Sequence, residues 1–133
     1  MIKKNKILSI DMNRSNRLKY FIYFPNDYLT KKYPLVLFLH GAGERGTNLK
    51  DIEIHGLPKL VKNGKKFPFI IIAPQCPLNL WWSDPLPVDL LSKLVSETVA
   101  KYELNKNHVF CTGLSMGGYG TLALSIKNPK LFS

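Results

Sequence analysis

Acidic residues are scarce in this chain of 133 residues. Nine Asp and Glu stand against 19 Lys and Arg, which gives a formal net charge of +10. Such an excess can attract nucleic acid or an anionic surface. The lysines, however, are dispersed from Lys3 to Lys130, without an arginine-rich block or interleaved aromatic residues. We therefore interpret them as solvated surface residues and expect no nucleic-acid partner.

Cysteines and long apolar runs are scarce as well. Cys76 and Cys111 do not make a disulfide framework, so buried thiols are favoured over a pair. Neither has a partner at metal-ligand spacing, and nothing in the sequence indicates a metal or a cofactor. No apolar run approaches the roughly 18 residues of a membrane span. With Met1 as the true start, no cleavable leader is present, and we expect a cytoplasmic protein without membrane association.

Apolar residues, at 45%, are frequent enough for one folded domain over residues 1–133. Three continuous apolar runs predict strands that are covered on both faces: Leu35–Leu39, Phe69–Ala73 and Val109–Thr112. Longer segments separate these runs, which indicates an α/β fold with a parallel sheet and helical crossovers.

Shorter patterns surround these strands. The runs Ile7–Ile10 and Leu18–Phe24, with turn residues at Asn13–Asn16 between them, predict an antiparallel hairpin at the sheet edge. Apolar residues at helical spacing predict one helix from about Pro87 to Val99 and another from Ser115 to about Lys127. Residues 46–66 are expected to form a loop region with one helix around residues 57–62.

Ser115 lies where the third buried strand meets the last helix. An acyl-transfer enzyme must expose its serine and stabilise the oxyanion that forms. A tight strand-to-helix turn exposes the serine, and the small residues Gly113 and Gly117 fit where this turn crowds its neighbours. The turn also places the Met116 N–H at a helix N-terminus, which favours negative charge. Ser115 is thus a predicted nucleophile and Met116 a predicted oxyanion donor, with an ordinary glycine-rich turn as the alternative.

A second glycine-rich segment follows the first buried strand. Gly41 and Gly43 let the backbone approach a ligand, so the Ala42 N–H is the second predicted oxyanion donor. His40 is expected to orient this loop through hydrogen bonds, and the alternative is a role as the base.

Three segments carry a resemblance to a known family: Tyr33 to Gly46, Ala73 to Pro77 with Trp82 following, and Thr112 to Gly120. Together they resemble the esterases of the α/β-hydrolase superfamily. More narrowly, they resemble the bacterial carboxylesterase/phospholipase-like group related to polyhydroxybutyrate depolymerases and feruloyl esterases. The resemblance covers roughly Tyr20 to Phe132. It implies an α/β-hydrolase fold and hydrolysis of a carboxylic ester through a Ser-Asp-His triad, with Ser115 as the nucleophile.

The sequence departs from that superfamily after Ser115. Both triad partners follow the serine in α/β-hydrolases, whereas residues 116–133 contain no Asp, Glu or His. We therefore expect residues 1–133 to be a single partial domain with an unfinished sheet, inactive without the part that carries the acid and the histidine. The alternative is a naturally short, non-catalytic protein that binds a ligand or partner through its open sheet edge. A peptidase or thioesterase would use the same site.

Other residues are candidates for the substrate cleft. Trp81 and Trp82 either pack in the core or a lid, or form a platform for a sugar or aromatic acyl group. The second role would suit a small-molecule or polysaccharide-linked ester. Glu44 and Arg45 either line the mouth of the same cleft or form an ion pair that anchors the loop.

The remaining titratable candidates are expected to have structural roles. His55 is expected to be exposed or locally satisfied, with ligand binding as the alternative, and His108 precedes the third strand at the end opposite Ser115. Asp84 is interpreted as a turn residue and Asp89 as a charge near a helix start.

Overall fold

A five-stranded mixed sheet runs through residues 1–9 and 16–133, the part of the chain that the computed structural model describes. The strands are β1 (Ile2–Ser9), β2 (Arg17–Phe24), β3 (Leu35–Leu39), β4 (Ile70–Pro74) and β5 (Val109–Gly113). The helices are α1 (Gly56–Lys62), α2 (Pro85–Lys101) and α3 (Met116–Lys127), and two 3-10 turns cover Ala42–Glu44 and Leu49–Ile54. No helix in these described ranges has the length and apolarity needed to cross a bilayer.

The strand order is β1-β2-β4-β3-β5. Strands β1 and β2 pair antiparallel, with Ile2 opposite Phe24, and β2 also runs antiparallel to β4. Strand β3 is parallel to both β4 and β5. The predicted edge hairpin and three parallel strands are confirmed. Of the predicted turn at Asn13–Asn16, the first three residues lie outside the described part of the chain, as does Ile10.

The first strand is longer than its apolar pattern predicts. It begins at Ile2, five residues before the predicted start at Ile7. Leu8 is its one buried side chain, while Lys3 reaches Glu53 across 3.2 Å. Because so few side chains of this edge strand are buried, its sequence lacks the alternation of apolar and polar residues that predicts a strand.

Both faces of β3 and β4 are covered, which explains their continuous apolar runs. The same prediction is wrong for β5 among the described residues, because Phe110 and Thr112 on one of its faces are exposed. Leu37 and Ile72 point to the side on which α2 and α3 pack. Phe38 and Ile71 point to the other side, against the segment that contains the Leu49–Ile54 turn. Every residue of β4 is buried.

The helices begin and end close to their predicted limits. Helix α2 starts at Pro85, two residues before the predicted Pro87, because proline fits the first turn, where no N–H donor is required. The predicted helix at residues 57–62 is α1. The 3-10 turn at Leu49–Ile54 was expected to be a loop. It forms because the Asn48 side chain accepts a hydrogen bond from Lys50 N and because Leu49 and Ile52 are buried in the same cluster.

One side of the sheet is open. Strand β5 lies at the end of the strand order, and Phe110 on it is exposed. Helix α3 buries Met116, Gly117, Gly120 and Leu124 but exposes three large apolar side chains: Tyr119, Leu122 and Ile126. The described residues therefore leave the apolar face of α3 formed by these three side chains without cover, and Phe110 is exposed on the opposite side of the sheet.

Replacing Gly120 with alanine is expected to destabilise the fold. The added Cβ would overlap the Cβ of Trp82, which is buried in the core. We therefore expect the free energy of unfolding to fall by about 1–3 kcal/mol. Gly118→Ala is the matched control in the same helix, because the nearest atom to its Cβ would be 3.9 Å away. At that position the better helix propensity of alanine should raise the free energy of unfolding by roughly 0.5–1 kcal/mol. Urea unfolding of the protein measures both free energies of unfolding, and equal values for the two variants would contradict the packing described.

Candidate active site

Ser115 occupies a strained turn between β5 and α3. Its backbone has φ 52° and ψ −110°, in a region that non-glycine residues rarely adopt, and its side chain is exposed. Such strain costs of order 1–3 kcal/mol and persists only where the surroundings impose it. Here the Gly118 and Tyr119 amides both donate to Ser115 O, at 2.8 and 3.2 Å. The turn thus presents the hydroxyl to solvent at the start of a helix.

Two glycines allow this turn to pack against the sheet. A Cβ at Gly113 would overlap the backbone of Gly117, and one at Gly117 would overlap the carbonyl of Leu39. Neither glycine has a left-handed φ. Both positions therefore require glycine because backbone approaches backbone, which is the crowding expected from the sequence.

The two glycine-rich motifs lie side by side. Leu114 N donates to Leu39 O at 3.1 Å, which ties the Ser115 turn to the end of β3. A Cβ on Gly41 would lie 3.9 Å from Ser115 Cβ. Among the described residues, the amides of Ala42 and Met116 have no hydrogen-bond acceptor. No acceptor among the described residues therefore competes for these two amides, and their role as oxyanion donors stays a prediction.

Packing does not explain Gly43. No atom of the described residues lies within 4 Å of the position that its Cβ would take, and the residue is exposed. Its expected role in letting a ligand approach stays a prediction.

His40 holds the loop in place. The ring is buried, with Nδ1 2.6 Å from Gly41 O and Nε2 accepting from Cys76 N at 2.9 Å. These contacts assign the proton to Nδ1 of a neutral ring. Burial lowers the pKa of His40 below its ordinary 6.5, and the Gly41 carbonyl and Glu44 carboxylate offset only part of this effect. Both ring nitrogens are engaged, so the geometry favours loop orientation over the alternative role as the base.

The two adjacent tryptophans have different environments. Trp82 is 0% exposed and its Nε1–H donates to His40 O at 3.0 Å. The prediction of a substrate platform is therefore wrong for Trp82, because its ring is enclosed in the core. Trp81 is 48% exposed, and the Arg45 guanidinium lies 5.1 Å from its ring centroid. The carboxylate of Asp84 accepts a hydrogen bond from Trp81 N at 2.8 Å, as expected of a turn residue. Trp81 remains a candidate for the cleft.

Arg45 anchors the loop without pairing with Glu44. Its Nε donates to Ala42 O at 3.0 Å and its Nη1 to Leu80 O at 3.2 Å. The buried Glu44 instead places Oε1 3.5 Å from His55 Nε2. The ion pair of Glu44 with Arg45 is therefore not formed, and the side chain that faces Glu44 is His55 of the next loop, a neighbour that the sequence pattern does not reveal.

Comparisons with known proteins agree with this geometry. The chain is similar to a thermostable esterase of known structure, with 30% identity and a TM-score of 0.77 over 98% of this chain and 39% of that one. An acetyl xylan esterase from Aspergillus awamori gives 22% identity and a TM-score of 0.72, over 99% and 49% of the two chains. The chain has the α/β-hydrolase fold. No family model matches it.

The chain is also similar to a relative of known sequence. The poly(3-hydroxyoctanoate) depolymerase of Pseudomonas fluorescens is 27% identical in an alignment of 121 positions, and the alignment covers 75% of this chain and 42% of the relative. The chain therefore spans less than half the length of that relative and of the two esterases. The resemblance to α/β-hydrolase esterases is confirmed.

The other titratable candidates lie away from Ser115 in this α/β-hydrolase fold. His108 is exposed and precedes β5, at the end opposite Ser115. Asp89 pairs with Lys127 at 2.6 Å on the surface between α2 and α3. The cysteines are free thiols, and burial raises the pKa of Cys76 to about 12 and that of Cys111 to about 11. Residues 1–9 and 16–133 contain no cluster of three potential metal ligands.

The buried His40 predicts a pH dependence of stability. Because its pKa is lowered on folding, the neutral ring stabilises the fold above the unfolded pKa of about 6.5, and this contribution is lost as the pH falls towards the folded pKa. His40→Gln cannot take up a proton. Its free energy of unfolding should therefore decrease less than that of the wild type between about pH 8 and about pH 5. Urea unfolding across this range measures the slope.

His108→Gln is the matched control for this measurement, because its side chain is exposed. It should keep the wild-type slope. A His40→Gln variant with an unchanged slope would show that His40 takes up its proton in the folded state as readily as in the unfolded one.

Proposed function

We propose that the full-length protein is a serine hydrolase of carboxylic esters with Ser115 as its nucleophile. The observation that carries this proposal is the exposed Ser115 at φ 52°, at the junction of β5 and α3. Strain of this kind at an exposed, chemically capable residue is typical of functional sites. Esterases among the solved structures with this fold support the same reaction class.

The proposed reaction follows from the groups around Ser115. Its Oγ attacks the ester carbonyl carbon and gives its proton to a base, while the carbonyl electron pair becomes an oxyanion. The Ala42 and Met116 amides donate to that oxyanion, and the start of α3 adds a favourable dipole. Collapse expels the alcohol, which takes the proton, and leaves an acyl-serine. Water then attacks the acyl carbon and releases the carboxylic acid.

His40 and His108 are not placed to act as the base of this mechanism, and the Nε2 of His55 faces Glu44. Both nitrogens of His40 are engaged with the backbone, and His108 lies at the far end of β5. In α/β-hydrolases the acid and the histidine follow the nucleophile. We therefore place both in polypeptide beyond Ser133, and we treat residues 1–133 as one partial domain that is inactive alone.

The open side of the sheet supports this partial-domain proposal. Tyr119, Leu122 and Ile126 form an uncovered apolar face on α3, and Phe110 is exposed at the free edge strand β5, on the other side of the sheet. The esterases with this fold extend over about twice the length of this chain or more. Further strands and helices of the same polypeptide would pair with the edge and cover the face.

The substrate proposal is a small-molecule or polysaccharide-linked ester. Proteins with this fold include the acetyl xylan esterase and a feruloyl esterase module from Clostridium thermocellum complexed with sinapinate. In this chain, the exposed Trp81 beside Arg45 offers a flat surface for a sugar or aromatic acyl group. A peptidase or thioesterase would share the Ser115 machinery, and a panel of nitrophenyl esters, thioesters and peptide anilides separates the three activities.

Ser115→Ala is expected to abolish ester hydrolysis by the full-length protein, because no other group takes the place of the attacking oxygen. Release of nitrophenol from 4-nitrophenyl acetate measures the activity. Ser96→Ala is the matched control, since Ser96 is exposed on α2, and it should leave the rate unchanged. Undiminished hydrolysis by Ser115→Ala would reject the assignment.

A second prediction concerns the open face. Residues 1–133 expressed alone should bind a hydrophobic dye and lack a cooperative thermal transition, because the apolar face is uncovered. The natural full-length product should show such a transition. A cooperative transition of the isolated polypeptide, together with a stop codon directly after codon 133, would instead favour a short, non-catalytic binding protein that uses this face.

A further inference from the structure

A buried carboxylate lies next to the proposed nucleophile. Glu44 is 5% exposed and ends the 3-10 turn that carries the Ala42 amide. A Cβ on Gly41 would lie 3.4 Å from Glu44 Oε2 and 3.9 Å from Ser115 Cβ. The carboxylate and the nucleophile thus flank the same glycine.

This carboxylate is not fully satisfied. Among the described residues, Glu44 Oε2 has no hydrogen-bond partner. His40 Nδ1 is 3.8 Å away, but its proton is directed to Gly41 O at 2.6 Å. Arg45 follows Glu44 in the chain, yet its guanidinium donates to the carbonyls of Ala42 and Leu80. Neither neighbour directs a proton at the carboxylate.

His55 is the group that faces Glu44. Its Nε2 lies 3.5 Å from Oε1, and its side chain is 59% exposed. The imidazole can donate from Nε2 towards this carboxylate. The contact also joins the Ala42–Glu44 turn to the residue that precedes α1.

The charge of Glu44 matters for the reaction proposed above. A negative charge close to a developing oxyanion opposes it, and this effect is strong in a poorly solvated site. We propose that His55 is a positioning residue that holds Glu44 and compensates its charge, so that the Ala42 and Met116 amides can stabilise the oxyanion. This inference rests on the proposed function and adds a residue to its machinery.

The test uses five variants of the full-length protein: His55→Gln, His55→Arg, His55→Asn, Glu44→Gln and the double variant Glu44→Gln/His55→Gln. His55→Gln should lower kcat for 4-nitrophenyl acetate about tenfold, with little change in KM. This decrease is smaller than the one caused by removing an oxyanion donor, because His55 acts at longer range. His55→Arg, which restores a positive charge, should recover most of kcat.

The double variant distinguishes charge compensation from a structural role. If the uncompensated carboxylate causes the defect, removing its charge should restore kcat above that of His55→Gln. A merely structural role predicts a double variant at least as slow as the single one. His55→Asn repeats the test with a second neutral side chain, and circular dichroism checks that each variant is folded.

The controls separate this inference from the proposed function. His108→Gln, an exposed histidine at the other end of β5, should keep the wild-type kcat. If Ser115→Ala is inactive but His55→Gln matches the wild type, or the double variant stays as slow as His55→Gln, charge compensation is overturned while Ser115 stands. Full hydrolysis by Ser115→Ala would overturn both.

Discussion

The contact between the first turn of α3 and the last carbonyl of β3 is the constraint on which the site depends. Leu39 O accepts from Leu114 N, and Gly117 packs so closely on the same carbonyl that a Cβ would overlap it. Leu39 also pairs with Gly113 in the parallel register of β3 and β5. The backbone of Ser115 has little freedom between these fixed points. Its strained φ therefore follows from strand pairing and close packing, and needs no side-chain contact of its own.

The loop that follows β3 is held by a different kind of interaction, a small buried polar network. The ring of His40 connects its own loop to Cys76 after β4, and the His40 carbonyl accepts from Trp82. Segments that follow β3 and β4 thus meet the turn after β5 at the carboxyl ends of the parallel strands, where α/β folds form their sites. Because the ring of His40 is neutral and buried, this network adds rigidity without adding charge beside Ser115.

Periodicity predicts the parts of the molecule that are covered on two faces, and it fails where burial is slight or depends on distant residues. Strands β3 to β5 were predicted because continuous apolar runs have few alternatives. The first half of β1 was not, since Leu8 is its single buried residue. The neighbours Trp81 and Trp82 cannot be distinguished locally, because packing of Trp82 against Gly120 decides which ring is buried. The partner of Glu44 likewise depends on how the loop that carries His55 folds back.

The two outer strands differ in a way that bears on whether the sheet is finished. Strand β1 carries lysines at positions 3, 4 and 6, and charged residues of this kind protect a sheet edge from pairing. Strand β5, Val109–Gly113, has no charged residue and no proline, so its free edge lacks that protection. Helix α3 is apolar on two sides, with Gly120 and Leu124 buried and Leu122 and Ile126 exposed, which is typical of a helix enclosed on both sides. The chain thus protects the edge at β1 and leaves the edge at β5 open. Strand β5 has the composition of an interior strand, which favours the partial-domain proposal over a short protein that binds through its edge.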